Sequence, residues 1–219
     1  VVHYASLQNL MGIDEVLESY QKGEADFHSI VSEMAGIPRS QAKTINLGLF
    51  YGMGKNKLQA ELGTNKQDAE DLFTKYHSRV PFVKQLMNAV MQRAQDSGRV
   101  RTLLGRLCRF HLWEPNQFGI HKPLPHEAAL AEHGPGIKRA YTYKALNKLI
   151  QGSAADMTKK AMIELYKEGI VPHIQVHDEL DISVSDNSDK IKEIMEHAVN
   201  LEVPNKVDYE HGINWGSIK

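Results

Sequence analysis

The chain has 219 residues, 42% of them hydrophobic, with 26 Lys and Arg against 27 Asp and Glu for a formal net charge of −1. That length can bury a substantial core as one large domain or two intimate ones, and the charge balance excludes an overall basic field, so a nucleic-acid partner would have to be held by locally clustered Lys and Arg. The single cysteine, Cys108, excludes an internal disulfide and fits a reducing compartment, with the cytoplasm as the expected place; apolar runs fall well short of the roughly 20 residues that span a bilayer, so no membrane partner is expected.

Val1-Val-His-Tyr-Ala-Ser-Leu7 has neither an initiating methionine nor the layout of a signal peptide, and it reads as a cut end. Residues 14 to 37 read as helical pieces broken at Gln21-Lys-Gly-Glu24 and at Gly36-Ile-Pro38, with Asp26 as N-cap of the next piece. Pro38 opens a longer helix that ends near Gly52-Met-Gly54, and shorter helices are predicted over 55–62 and 66–77. Val83, Leu86, Met87, Val90, Met91 and Ala94 recur at three and four, marking an amphipathic helix that stops at Ser97-Gly98. A hairpin is predicted from Arg99 to Phe110 around Gly105. From Trp113 to Gly136, four prolines, three glycines and three histidines with little periodicity predict a long surface loop. Lys138 to Glu168 returns to helical character, with Asn147, Gln151 and Ala155 on one face and Gly169 as the C-cap. Strands over 172–177 and 179–185, a helix over 188–201 and a strand near 206–211 complete the prediction.

Arg39, Lys43, Leu47 and Tyr51 stand at every fourth position of the Pro38 helix, and each step of four drifts only about 40° around the axis. Two cations, an aliphatic residue and a tyrosine therefore face one partner, in an order that reads as phosphate, sugar, base. Arg and Lys grip phosphate oxygens through charge-assisted hydrogen bonds, and a tyrosine ring stacks on a base. An i, i+4 pair of cations is usually a solvated helix face; Leu47 and Tyr51 on the same stripe weaken that reading.

A second constellation is Gln175-Val-His177-Asp178-Glu179, two adjacent carboxylates at the apex of the predicted hairpin. Ile174 and Val176 lead in while Leu180, Ile182 and Val184 alternate out, so core-anchored strands are expected to hold the acids rigidly. Aspartate at a hairpin tip often serves turn chemistry, but neighbouring carboxylates repel unless a cation neutralises them, and hard oxygen ligands favour Mg²⁺. Two-metal phosphoryl transfer draws carboxylates from separate elements, so this locus supplies only part of such a site. In Gln151-Gly-Ser-Ala-Ala-Asp156 the small residues suit helix packing as well as close approach of a ligand. Asn147 and Gln151 could read the minor-groove acceptors that every base pair presents. His28 alone on a short helix is more often a surface or core residue, and His111, His121, His126 and His133 match no standard zinc spacing.

Asp26-Phe-His28, Arg39…Lys43…Tyr51-Gly52, Gln151-Gly-Ser-Ala-Ala-Asp156, Gln175-Val-His177-Asp178-Glu179 and Gly212-Ile-Asn-Trp215 occur in this order along nearly the whole chain. Together they resemble family A DNA polymerases, the DNA polymerase I group. Phe110-His-Leu-Trp-Glu-Pro115 and Tyr141-Thr-Tyr-Lys-Ala-Leu-Asn-Lys-Leu-Ile-Gln151 resemble the bacteriophage branch. The resemblance implies an α+β fold, a palm of antiparallel sheet with helices plus a mainly helical fingers subdomain, with residues 1–21 as part of the palm, 22–100 as fingers and 101–219 as palm. It implies dNTPs and primer-template DNA as partners and two Mg²⁺ ions as cofactor. His28, Arg39 and Lys43 would hold the triphosphate, Leu47 would meet the sugar, and Tyr51 would lie by the nascent pair. Lys43 could also protonate the leaving pyrophosphate. Asp178 would bind the catalytic metal beside Glu179, with Asn147, Gln151, His177 and Tyr143 as DNA contacts.

Three positions depart from the family pattern. Its upstream Asp-x-Ser-x-x-Glu palm strand, source of the other metal-binding aspartate, should end just before Val1, so the chain is expected to need an upstream segment or complementary chain for activity. Leu47 stands where an aromatic residue usually packs on the sugar, and Tyr143 where many relatives place an arginine, with Lys144 beside it. A single-subunit RNA polymerase, which shares a similar fingers helix, and a non-catalytic nucleotide- or DNA-binding remnant are the alternative readings; Glu179 after Asp178 favours the DNA enzyme.

Overall fold

A computed structural model describes residues 1–23, 28–29, 32–33, 36–117, 119–183 and 187–218. Asp26 and Phe27, with the expected cap, and Val184 at the far end of the hairpin lie outside the described residues. Helices α1 (Val2–Leu7) and α2 (Ile13–Lys22) precede the motif-bearing α3 (Arg39–Phe50), which begins directly after Pro38. Then follow α4 (Lys55–Leu62), α5 (Lys66–Arg79) and α6 (Pro81–Ser97). Asn65 caps α5 by accepting from the Asp68 N–H at 2.9 Å, which satisfies one of the orphan donors of the first turn.

These helices close over one apolar cluster. Ala42, Ile45 and Leu49 of α3 meet Val2, Ala5, Ile13, Leu58, Leu72, Tyr76, Val80, Phe82 and Val83. Full burial of each large member contributes about 1.5–3 kcal/mol. A second cluster joins Leu86, Val90 and Ala94 to Val100, Phe110, Ala145, Leu146 and Leu149. α6 belongs to both, its first turn facing one cluster and its later turns the other. The helix ends at Gly98, whose φ of +67° suits glycine and whose absent Cβ makes room for the Arg139 guanidinium, 2.7 Å from where a Cβ would stand. Arg139 donates to the carbonyls of Gln95 and Phe110 at 3.0 Å each and lies 4.5 Å from the Trp113 ring.

The second half is α+β. β1 (Arg99–Arg101) and β2 (Leu107–Arg109) pair antiparallel, Arg99 opposite Arg109. The helix α8 (Ala145–Lys167) buries Leu146, Leu149, Ser153, Asp156, Ala161 and Leu165 along one stripe, and Gly169 follows its end at φ +76°. β6 (Ile174–Val176) and β7 (Glu179–Asp181) form a separate antiparallel pair, and α9 (Ser188–His197) packs on α8.

Several predicted elements come out differently. The stretch expected as a loop is partly regular: β3 (Leu112–Pro115) pairs with β4 (Leu124–Pro125) and with β5 (Ile137–Arg139), and α7 (His126–His133) lies between them. Only Ala129 of α7 is buried, so its sequence carries no apolar stripe to announce a helix. Lys138 and Arg139 belong to β5 instead of to the following helix. β6 and β7 are three residues each, and none of their residues is buried; Ile174 is 44% exposed. The expected anchoring of both strands in the core is therefore corrected: among the described residues this sheet has two strands, and none of their residues joins either apolar cluster. The last predicted helix stops at His197, and no strand forms over 206–211. There the backbone is held by α9 itself, the Val207 N–H donating to Glu196 Oε1 at 3.0 Å and Asn205 Nδ2 to the Met195 carbonyl at 3.3 Å.

Candidate functional site

α3 divides its residues by face. Ala42, Ile45, Asn46 and Leu49 turn inward, while Arg39, Lys43 and Leu47 are exposed and Tyr51, at the helix end, is half-buried. The four-residue stripe is thus a surface row, and Leu47, 42% exposed, is an aliphatic side chain left out of the core. Tyr51 is fixed from two sides. Its N–H bonds the Leu47 and Gly48 carbonyls at 3.1 Å each, and its hydroxyl accepts from Gln151 Nε2 at 3.0 Å. The next residue, Gly52, has φ +83°, and a Cβ there would stand 2.8 Å from Met87 Sδ, so glycine is required where the chain leaves the helix.

Behind the stripe lies a polar relay. Asn46 is fully buried, its Oδ1 accepts from the Tyr76 hydroxyl at 3.0 Å, and its Nδ2 lies 3.1 Å from His28 Nδ1. His28 is thereby connected to the inner face of the same helix whose outer face carries Lys43 and Leu47. Burial, and to a smaller extent Tyr20, push the Tyr76 phenol up.

On α8, Asn147 and Gln151 are exposed, whereas the rest of Gln151-Gly-Ser-Ala-Ala-Asp156 splits between surface and structure. Gly152 packs where a Cβ would stand 2.7 Å from Thr102 Cγ2. The Ser153 hydroxyl lies 2.7 Å from the Tyr4 hydroxyl, accepts from the Leu103 N–H at 3.0 Å and donates to the Leu149 carbonyl at 2.7 Å. Arg106 donates from Nε to Asp156 Oδ1 at 2.9 Å and from Nη2 to the Gly152 carbonyl at 2.7 Å. Burial would push the Asp156 carboxyl up, but hydrogen bonds from Thr102 and Arg106 and the Arg106 charge outweigh it and hold the group below the usual carboxylate range. The motif therefore clasps the β1–β2 hairpin with its inner residues and presents Gln151 outward. Tyr143, 63% exposed, lies 5.5 Å from Lys144 Nζ, which also sits 5.0 Å from the Tyr141 ring.

The β6–β7 turn consists of His177 and Asp178, with Val176 paired to Glu179. His177 takes φ +54°, the left-handed conformation a two-residue hairpin loop calls for, and its carbonyl accepts from Gln175 Nε2 at 2.6 Å. Asp178 is exposed at the apex. Glu179 Oε1 accepts from Trp215 Nε1 at 3.2 Å, so the C-terminal Gly212-Ile-Asn-Trp215 segment reaches the acidic turn. Asp181 stands two residues along the same strand face, and burial together with the like charge of Glu179 raises its carboxyl above the ordinary range. The oxygen donors suit Mg²⁺ in kind. In number they do not complete a site: among the described residues no three His, Cys, Asp or Glu side chains gather as a metal ion would require. Of the histidines in the 111–133 stretch, His126 packs against the Trp113 ring at 4.6 Å and His121 lies 6.2 Å from the His133 ring.

The family model for DNA polymerase family A matches residues 7–217. The chain belongs to DNA polymerase family A. A DNA-directed DNA polymerase of Pseudomonas phage M6 is 32% identical over 98% of the chain, which corresponds to 36% of that polymerase. DNA polymerase I of Geobacillus stearothermophilus is likewise 32% identical, over the whole chain and 24% of its own length. The chain thus spans between a quarter and a little over a third of these family A relatives. Among solved structures, the polymerase domain of Pol1 from M. smegmatis, in complex with DNA primer-template and dNTP, is similar with a TM-score of 0.65 and 26% identity, covering 86% of this chain and 34% of that one. The α+β architecture is that of a polymerase domain. Among the described residues no helix is long and apolar enough to cross a membrane.

Four features of this family A chain were not anticipated from sequence. Asn46 stands between Ile45 and Leu47, and its partners are 18 and 30 positions away. Arg106 and Asp156 are 50 apart, Trp215 and Glu179 are 36 apart, and Asp181 lies just beyond the more conspicuous Asp178-Glu179 pair. A buried polar residue inside an apolar helix face is the one signal available for Asn46.

Proposed function

We propose that this chain is the fingers and palm portion of a template-directed DNA polymerase, with residues 22–100 as fingers and 1–21 with 101–219 as palm. The observation that carries this reading is the exposed row Arg39, Lys43, Leu47 and half-buried Tyr51, tied through Tyr51 to Gln151 on a second element, in a chain of DNA polymerase family A.

In the proposed reaction the primer 3′-hydroxyl gives up its proton to solvent and attacks the α-phosphate of a dNTP, and the bond to the β-phosphate breaks, releasing pyrophosphate. Arg39, Lys43 and His28 hold the triphosphate oxygens, and Lys43 passes its proton to the leaving pyrophosphate. Leu47 packs against the sugar and Tyr51 against the nascent pair. Gln151 and Asn147, with His177 and Tyr143, follow the primer-template. Asp178 would hold catalytic Mg²⁺ beside Glu179; when bound, the ions would lower the charge cost at the attacking and leaving oxygens. No Asp-x-Ser-x-x-Glu segment occurs in the 219 residues. Full activity is accordingly proposed to require a polypeptide that bears that carboxylate, joined or supplied in complement.

The test is Mg²⁺-dependent primer extension by the chain with and without a separately supplied segment carrying the motif, with Asp178→Asn as control. Extension with dNTPs in the mixture alone, abolished by the substitution, is the expected result. Robust extension by the chain alone would refute the requirement for a second segment, preference for rNTPs would favour an RNA polymerase, and association without extension in joined and mixed forms would favour a binding remnant.

A further inference from the structure

We propose that Asn46 is a positioning residue that sets the tautomer of His28, so that the imidazole meets phosphate as a neutral Nε2–H donor and not as a cation. The inference rests on the triphosphate role given to His28 above and adds the chemical form in which that residue acts.

Asn46 is fully buried between Ile45 and the Leu49 turn, in a cluster that is otherwise apolar. Asparagine is a poor choice for a helix interior, and a buried amide is costly unless its donors and acceptors are used. Here both ends are used, Oδ1 by the Tyr76 hydroxyl at 3.0 Å and Nδ2 by His28 Nδ1 at 3.1 Å.

The orientation of that amide follows from Tyr76. A phenol has one proton to place, and Tyr76, 1% exposed, has no other acceptor for it among the described residues. Burial raises this phenol, which therefore keeps its proton. Asn46 Oδ1 must face Tyr76 to receive it. The amide NH₂ then faces His28, and an N–H that points at Nδ1 requires a bare lone pair there. A neutral imidazole carries one proton, so with Nδ1 bare that proton sits on Nε2. An imidazolium would set two donors against each other across 3.1 Å. Arg39 and Lys43 supply charge to a triphosphate; His28 supplies a directional donor, its ring held from the inner face of the helix that bears them. A role confined to packing would require the amide only to fill space, and would leave the tautomer indifferent to which way it points.

The experiment is a long-range ¹H–¹⁵N spectrum of the chain labelled at its histidine rings, with His28→Gln used for assignment. The expected spectrum at neutral pH shows His28 neutral, Nδ1 unprotonated and Nε2 protonated. Tyr76→Phe keeps the ring and the core volume and frees the amide to turn, and is expected to populate the Nδ1–H form. Asn46→Asp offers an acceptor to Nδ1 and is expected to convert His28 to the imidazolium. An Nδ1–H tautomer or imidazolium in the unaltered chain overturns the proposal, as does a folded Tyr76→Phe chain with an unchanged His28 spectrum. In primer extension with the segment that bears the Asp-x-Ser-x-x-Glu motif supplied, Tyr76→Phe is expected to raise the dNTP KM about three- to tenfold, the worth of one neutral hydrogen bond, with little change in kcat. The expected spectrum with an unmoved KM would leave the relay standing and remove His28 from the triphosphate, which separates failure of the functional reading from failure of the tautomer.

Discussion

Gln151 reaches across 100 residues of chain to donate its side-chain N–H to the Tyr51 hydroxyl at 3.0 Å. This bond joins the end of the helix that carries the cationic row to the outer face of α8. Gln151 is exposed, so water competes for the contact and its net worth lies at the low end for a hydrogen bond, about 0.5 kcal/mol. A double-mutant cycle of Tyr51→Phe and Gln151→Ala, read by urea unfolding, is expected to return a coupling of that size. Strictly additive effects would mean the bond contributes nothing in solution.

Gly152→Ala is expected to destabilise the chain by about 1–3 kcal/mol, because the new methyl would stand 2.7 Å from Thr102 Cγ2 and 3.3 Å from Arg106 Nη2. A lowered thermal midpoint checks this, and pairing the change with Thr102→Ser, which removes the opposing methyl, should restore part of the loss.

Asp156 makes stability depend on acid. Its carboxyl is held below the ordinary range in the folded chain, so the unfolded chain binds the proton more readily. The stabilisation is fully present above the unfolded value of about 3.9 and is lost as pH falls through the lower folded value. Urea midpoints measured from pH 6 downward should fall more steeply for the unaltered chain than for Asp156→Asn, which should start lower because Arg106 loses its charged partner.

Trp215→Phe removes the donor to Glu179 Oε1 while keeping an aromatic ring. Both side chains are exposed, so the unfolding free energy should stay within about 0.5 kcal/mol. If the proposed polymerase reading holds, a fall in kcat with an unmoved dNTP KM is the expected signature of a displaced Glu179 in primer extension, and unchanged steady-state kinetics would count against any role for the contact.

Legibility in the sequence followed the length of each element and the signals at its ends. α5 and α6 could be read because each runs for more than three turns with an apolar face, and α4, which buries only Leu58, because Gly54 and Gly63 bracket it. The stripe of α3 could be read because four unlike side chains shared one period. α7 was hidden because its eight residues lie within the stretch rich in prolines, glycines and histidines, and β3, β4 and β5 because two to four residues hold too little alternation to register. The apex at His177 and Asp178 was legible as a turn. The expected anchoring of its strands was not correct, since alternation implies a face packed in the core and no residue of this pair joins either apolar cluster among the described residues. Asn46, Arg106 and Trp215 act through partners far away in the chain, which no local pattern encodes.

α6 runs unbroken through both apolar clusters, with Phe82 and Val83 in the first and Leu86, Val90 and Ala94 in the second. The angle between the two halves is therefore counted in whole residues of one helix. Deleting a single position between Val83 and Leu86 would turn everything beyond it by about 100° and draw it back by about 1.5 Å, carrying Leu86 out of its cluster. Loops elsewhere can change length with little consequence, but this segment acts as a gauge, and a chain of this kind can vary its side chains there only while keeping their number.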